Sequence, residues 1–127
     1  MTMPYDHRRT DSEGRSPLES LDAYRVAREV VAFVAAHRER LRGLPGEAGP
    51  QLERAAVSAL LNVAEAAGRQ GARDRARVFA IARGETCEAT AALEVAVLCG
   101  AVAAAEAAPA RALLDRLTRM LSRLARR

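Results

Sequence analysis

The residues with most capacity for chemistry lie along one polar stripe. Gln51, Arg54, Ser58, Asn62, Glu65 and Arg69 follow one another at three- or four-residue steps, a spacing that aligns them on one face of a helix. Arg83, Gly84 and Glu88 form a second polar group further along. Acid–base catalysis on such a stripe would need a second acid, a histidine or an activated nucleophile beside the Glu65 carboxylate. The pattern offers arginines instead. Arg54, Ser58, Asn62, Glu65, Arg83 and Glu88, with Gly84 among them, are therefore expected to bond one another and to fix helix register or subunit contacts. No catalytic residue and no enzymatic activity is expected. His37, flanked by Arg38, Glu39 and Arg40, reads as a solvated residue near a helix end rather than a base.

Cys87 and Cys99 fall on one expected helix, where a rise of about 1.5 Å per residue separates them by roughly 18 Å, beyond the reach of a disulfide. They are expected to be reduced thiols of the core. Together with the distant His7 and His37 they show none of the paired spacings that zinc requires, so neither a metal nor another cofactor is expected.

The elements that carry these residues are helical. A chain of 127 residues forms one domain with a core of its own. Half of the residues are apolar, but there are only two Phe, two Tyr and no Trp, so Ala, Leu and Val must build that core, as in closely packed helices. The 20 Lys and Arg residues are all Arg, which together with the abundance of Ala reads as the codon usage of a GC-rich genome. The net charge of +4 is compatible with an acidic partner but is ordinary for a soluble surface. Residues 1–15 contain Asp6, Asp11 and Glu13 and no apolar run, which excludes a secretory signal and gives the expectation of a cytoplasmic protein. No stretch approaches the roughly 20 apolar residues of a membrane span, so no membrane association is expected.

Residues 1–15 read as a disordered polar tail and 16–127 as the folded domain. Ser16 before Pro17, with Glu19 three positions on, is the expected cap of a first helix. Its apolar face runs through Leu21, Tyr24, Ala27, Val30, Val31 and Val34 to Leu41 without a break, up to the turn Gly43-Leu44-Pro45-Gly46. A second helix is expected after Gly49-Pro50, with Leu52, Ala56, Ala59, Leu60, Val63 and Ala67 inside, ending at Gly68 to Gly71. The third runs from Arg73 with Phe79, Ala82, Thr86, Ala89, Leu93 and Ala96 at alternating steps of three and four, and Gly100 stops it. Gly84, inside that helix, is expected to allow close approach of another backbone. Residues 101–108 are readable as linker or as early helix. From Pro109 the pattern Leu113, Leu114, Leu117, Met120, Leu121 and Leu124 defines a fourth amphipathic helix. Four such stripes joined by short connections specify an all-α fold, an antiparallel, up-down-up-down, left-handed four-helix bundle.

With these blocks in view, the chain resembles the four helix bundle protein family, the 23S rRNA-intervening sequence proteins. The resemblance is carried by Gln51-Leu52-Glu53-Arg54-Ala55-Ala56-Val57-Ser58, by Asn62-Val63-Ala64-Glu65 and Gly68-Arg69, and by Phe79-Ala80-Ile81-Ala82-Arg83-Gly84 with Glu88. Leu21, Tyr24 and the Leu44-Pro45 turn precede them at similar spacing. Ala66 stands where the family usually has Gly, and Glu85 where it usually has Ser. The resemblance implies a bacterial homo-oligomer, typically a barrel-like pentamer. It also implies similarity to the accessory variability determinant proteins of diversity-generating retroelements, which bind nucleic acid and a reverse transcriptase.

Antiparallel packing would bring the second turn and the end of the fourth helix to one pole. Arg69, Arg73, Arg75 and Arg77 would then lie near Arg119, Arg123, Arg126 and Arg127, with Asp74 and Glu65 offsetting little of their charge. Repeated around an oligomer, this pole would contact RNA or DNA phosphates by counterion release, without base stacking. Two function classes follow. One is a non-enzymatic oligomeric scaffold whose arginine-rich surface meets nucleic acid or a nucleic-acid enzyme. The other is a protein-binding module for a partner encoded nearby, without nucleic-acid binding.

Overall fold

The computed structural model describes residues 17–126, and among them every regular element is helical. The tail, the expected Ser16 cap and Arg127 lie outside the described residues. Four long helices, α1 (Pro17–Ala36), α3 (Ala48–Ala67), α4 (Ala72–Leu98) and α5 (Ala104–Leu124), are joined by short connections, with a one-turn helix α2 (Arg38–Leu41) after α1. Each long helix packs mainly on two others, α3 on α1 and α4, and α5 on α4 and α1, so the four close a ring.

The buried side chains fall into two layers that fix chain direction. One layer joins Ala23, Tyr24, Val26 and Ala27 of α1 to Val63 and Ala66 of α3, Val78, Phe79 and Ala82 of α4, and Leu117, Met120, Leu121 and Leu124 of α5. The other joins Val30 and Val34 to Leu52, Ala55 and Ala56, to Ala89, Leu93 and Ala96, and to Ala107, Ala110 and Leu114. Starts of α1 and α4 thus meet ends of α3 and α5, so consecutive long helices run antiparallel. Because each helix must serve two neighbours, its buried stripe is wider than one seam. Ala23, Ala55, Ala66 and Ala92 fill the flanks with single methyl groups. Thr86, fully buried on α4, donates its hydroxyl to the Ala82 carbonyl at 2.8 Å and so leaves no polar group unsatisfied.

Two expectations about the elements are corrected and one reading left open is decided. The first helix does not continue to Leu41. It breaks at His37 (φ −108°, ψ 9°), whose Nδ1 donates to the Phe33 carbonyl at 2.8 Å while its ring stacks on Phe33 with centroids 4.0 Å apart. His37 is accordingly half-buried rather than fully solvated. Second, α3 begins at Ala48, with Gly49 and Pro50 inside its first turn. Pro is tolerated there because its missing N–H has no intrahelical partner to lose. Gly49 is required there, since a Cβ would stand 2.1 Å from the Leu41 carbonyl oxygen. Third, residues 104–108 are helix, so α5 starts ahead of Pro109.

Gly100 ends α4 as expected. Its φ of +77° lets the Ala101 N–H reach the Ala96 carbonyl and the Gly100 N–H reach Val97, each at 3.0 Å, which is a Schellman cap. None of the helices is long and apolar enough to cross a membrane.

Candidate functional site

The polar stripe of α3 and the Arg83–Glu88 region of α4 meet along one seam. Arg54 Nη2 lies 3.8 Å from Glu88 Oε1, an ionic contact between exposed side chains that ties α3 to α4. Asn62 Nδ2 donates to the Ser58 carbonyl at 3.0 Å and to Ser58 Oγ at 3.2 Å, both half-buried. The stripe therefore bonds in part to itself along α3 and engages α4 through Arg54–Glu88 and Arg69–Asp74. Glu65 is bound by Arg69, whose Nη1 also lies 3.3 Å from Asp74 Oδ2. The hydrogen bond that Arg69 donates to Glu65, with the added charge of Asp74, holds the Arg69 pKa above its ordinary value. The remaining members stand apart from this network. Arg83 is exposed and has no partner among the described residues, and Gly84 is exposed with nothing within 4 Å of where a Cβ would stand. The expected close approach of another backbone at Gly84 does not occur among the described residues.

The Arg54–Glu88 pair sets the antiparallel register of the seam. Two helical turns onward along α3 from Arg54 lies Leu61, and two turns back along α4 from Glu88 lies Ile81. Both therefore sit at one level and on the same faces as the paired residues. Leu61 is 63% exposed, Ile81 42% and Val57 38%. Single exposed apolar residues are ordinary, but here three project beside an open glycine on adjoining helices. Composition did not single these residues out. The available signal was that Leu61 and Ile81 fall one step outside the buried periodicity of their helices.

The layer that contains Val63, Ala66 and Val78 also contains Leu121 and Leu124, so the end of α3, the start of α4 and the end of α5, with the arginines they bear, lie toward one end of the domain. Its charge is more heavily compensated than the sequence suggests. Arg77 binds Asp74 through Nε at 3.1 Å and Nη2 at 3.0 Å, so Asp74 bridges Arg69 and Arg77. Arg123 Nε donates to Glu19 Oε1 at 2.7 Å, across from the start of α1. Arg75 Nη1 donates to the carbonyls of Arg69 and Gln70 at 3.3 and 3.2 Å and so ties down the turn between α3 and α4. Arg73, Arg119 and Arg126 are exposed and have no ion-pair partner among the described residues. Arg127 lies outside them.

At the opposite pole, Arg38 pairs with Glu53 of α3, and Arg40 forms a two-pronged pair with Glu106 of α5 at 2.9 and 2.8 Å. Glu106 also accepts the Ala103 N–H at 3.2 Å. The Arg40 hydrogen bonds, followed by that backbone N–H, hold its carboxyl pKa down at about 2. These ties pin α2 between two helices.

Cys87 and Cys99 are both exposed, not core thiols. The error came from residue type, since free cysteine is usually buried. Among the described residues no three His, Cys, Asp or Glu side chains converge as a metal site. Clefts of about 240 Å³ (Val34, Leu41, Gly49 and Glu53 among its walls) and about 220 Å³ (Leu93, Glu94, Val97 and Arg111 among its walls) lie away from the polar stripe.

These features define an all-α domain of four long helices in which Arg54, Ser58, Asn62, Glu65, Arg69 and Glu88 are committed to ties between and along helices. The family model described as 23S rRNA-intervening sequence protein matches residues 19–123. The chain belongs to that family. No curated protein matches it.

Proposed function

We propose that this protein is a non-enzymatic homo-oligomeric scaffold that associates through the outer α3–α4 face and offers its arginine pole to nucleic acid or to an enzyme acting on it. The observation that carries this reading is the exposed group Val57, Leu61 and Ile81 around the open Gly84. Apolar area left in water beside a glycine without a neighbour among the described residues is what a second copy would cover, and Val57, Ile81 and Gly84 belong to the blocks on which the family resemblance rests. A cyclic assembly, a pentamer by that resemblance, would repeat Arg73, Arg119 and Arg126 as a ring of charge. The absence of catalysis is supported by the pairing of Glu65 and Glu88 with arginines and by the lack of a cleft around either among those described above.

Salt-titrated binding to RNA and duplex DNA tests the pole. Three arginines meeting phosphates of a duplex give a slope of roughly −3 in log K against log salt for each subunit engaged. Arg73→Glu with Arg119→Glu should abolish the interaction. No binding at low salt, or binding unchanged by these substitutions, removes this part of the proposal. The second reading, a module that binds a protein partner without nucleic acid, is favoured by the compensation of Arg69, Arg77 and Arg123 within the chain. Capture of a partner encoded nearby, by a chain with no affinity for RNA or DNA, would establish it.

A further inference from the structure

The start of α5 is anchored more weakly than its end. Across residues 103–112 only Ala107 and Ala110 are buried, each hiding one methyl group, whereas Leu114, Leu117, Met120, Leu121 and Leu124 are buried beyond them. A buried methyl contributes a fraction of what a buried leucine does. Pro109 lies inside the helix and has no N–H for the Ala105 carbonyl, so the hydrogen-bond ladder lacks a rung between the first turns and the rest.

What holds these first turns is polar. Glu106 accepts both prongs of Arg40 and the Ala103 N–H, and Arg111 Nη1 lies 2.8 Å from Glu94 Oε2 on α4. That Glu94 oxygen is buried and has no aligned hydrogen bond, so the Arg111 contact is ionic and gives little directional hold. Ala104, Ala107 and Ala108 wall the cleft of about 220 Å³ against Leu93 and Val97, leaving the contact between α4 and these turns incompletely filled.

We propose that residues 103–108 form a latched strap that opens as a unit ahead of the rest of the domain, with Arg40–Glu106 as its latch and Pro109 as its joint. Opening bares the Leu93 and Val97 wall of α4 while the leucine-rich end of α5 stays docked. Local openings of this kind occur where buried apolar contacts are few. Because helical amides bond four residues back, the amides of Ala107, Ala108, Ala110, Arg111 and Ala112 lose their acceptors together. Leu113, bonded to Pro109, marks the boundary.

Amide hydrogen exchange on the full-length chain, read by NMR, tests this. Those five amides should exchange faster than the amides of residues 114–124. Glu106→Gln and Arg40→Gln should each accelerate the same five by roughly two- to five-fold, the range of an exposed ion pair, and leave residues 114–124 unchanged. Pro109→Ala restores the missing donor and should slow them. The proposal is overturned if wild-type protection is uniform along α5, if the latch variants accelerate exchange throughout the domain, or if Pro109→Ala leaves these amides unaffected.

Discussion

Adding a single methyl group at Gly49 should destabilise the protein, although alanine is the better helix former. A Cβ there would lie 2.1 Å from the Leu41 carbonyl oxygen and 2.9 Å from its carbon, both backbone atoms. An ordinary carbon–oxygen contact is about 3.3 Å or longer, so the overlap exceeds about 1 Å. Leu41 has little room to retreat, being 2% exposed on a helix tied to Glu53 by Arg38 and to Glu106 by Arg40. Overpacking of this kind costs about 1–3 kcal/mol or more. The gain in helix propensity is at most about 1 kcal/mol and smaller in a first turn. A net loss of about 2 kcal/mol for Gly49→Ala is expected. With a urea slope of about 1–2 kcal/mol/M, the unfolding midpoint should fall by about 1–2 M. Gly84→Ala is the matched control, because among the described residues nothing stands within 4 Å of the new Cβ. It should add up to about 1 kcal/mol of subunit stability. A midpoint for Gly49→Ala at or above wild type would show that the Leu41 carbonyl does not crowd this position.

Leu117→Ala removes a side chain that is 1% exposed in the layer shared by all four long helices. It should cost about 2–5 kcal/mol by chemical denaturation, and a loss below about 1 kcal/mol would contradict that placement. Thr86→Val should stay within about 1 kcal/mol of wild type, because the Ala82 carbonyl keeps its backbone partner, whereas Thr86→Ala leaves a void and should cost more. Glu106 supplies a pH signature. Its carboxyl pKa is lowered from 4.5 to about 2, so its stabilising contribution is whole above pH 4.5, shrinks as pH falls and is gone near pH 2. Acid titrations of wild type and Glu106→Gln should therefore converge across that window, and a stability difference independent of pH would contradict the Arg40 pairing.

Much of the fold was readable because the periodic leucines and valines of α1, α3 and α5 have only one way to hide. Every residue expected on the inner face of α1 is buried or half-buried, and Leu114, Leu117, Met120, Leu121 and Leu124 are all buried. The misreadings share a physical origin in contacts distant along the chain. The break at His37 follows from stacking on Phe33 and from pins supplied by Glu53 and Glu106, which no local pattern shows. Gly49 and Pro50 read as breakers because the approach of the Leu41 carbonyl is a tertiary fact. For the site, spacing placed Arg54, Ser58, Asn62 and Glu65 on one stripe. It did not show that Arg83 would stand apart, that Glu19 would meet Arg123, or that Asp74 would serve two arginines. Gly84 shows the same limit, since a glycine required by a neighbouring backbone and one standing open look alike in sequence.

The mass of the assembly in solution, measured by light scattering for wild type and for Leu61→Asp at matched helicity by circular dichroism, tests the scaffold reading most directly. A wild-type particle of several chains is expected and, for Leu61→Asp, a folded particle of fewer chains. A wild-type protein that remains a single chain at every concentration, or a Leu61→Asp protein that assembles unchanged, would contradict it.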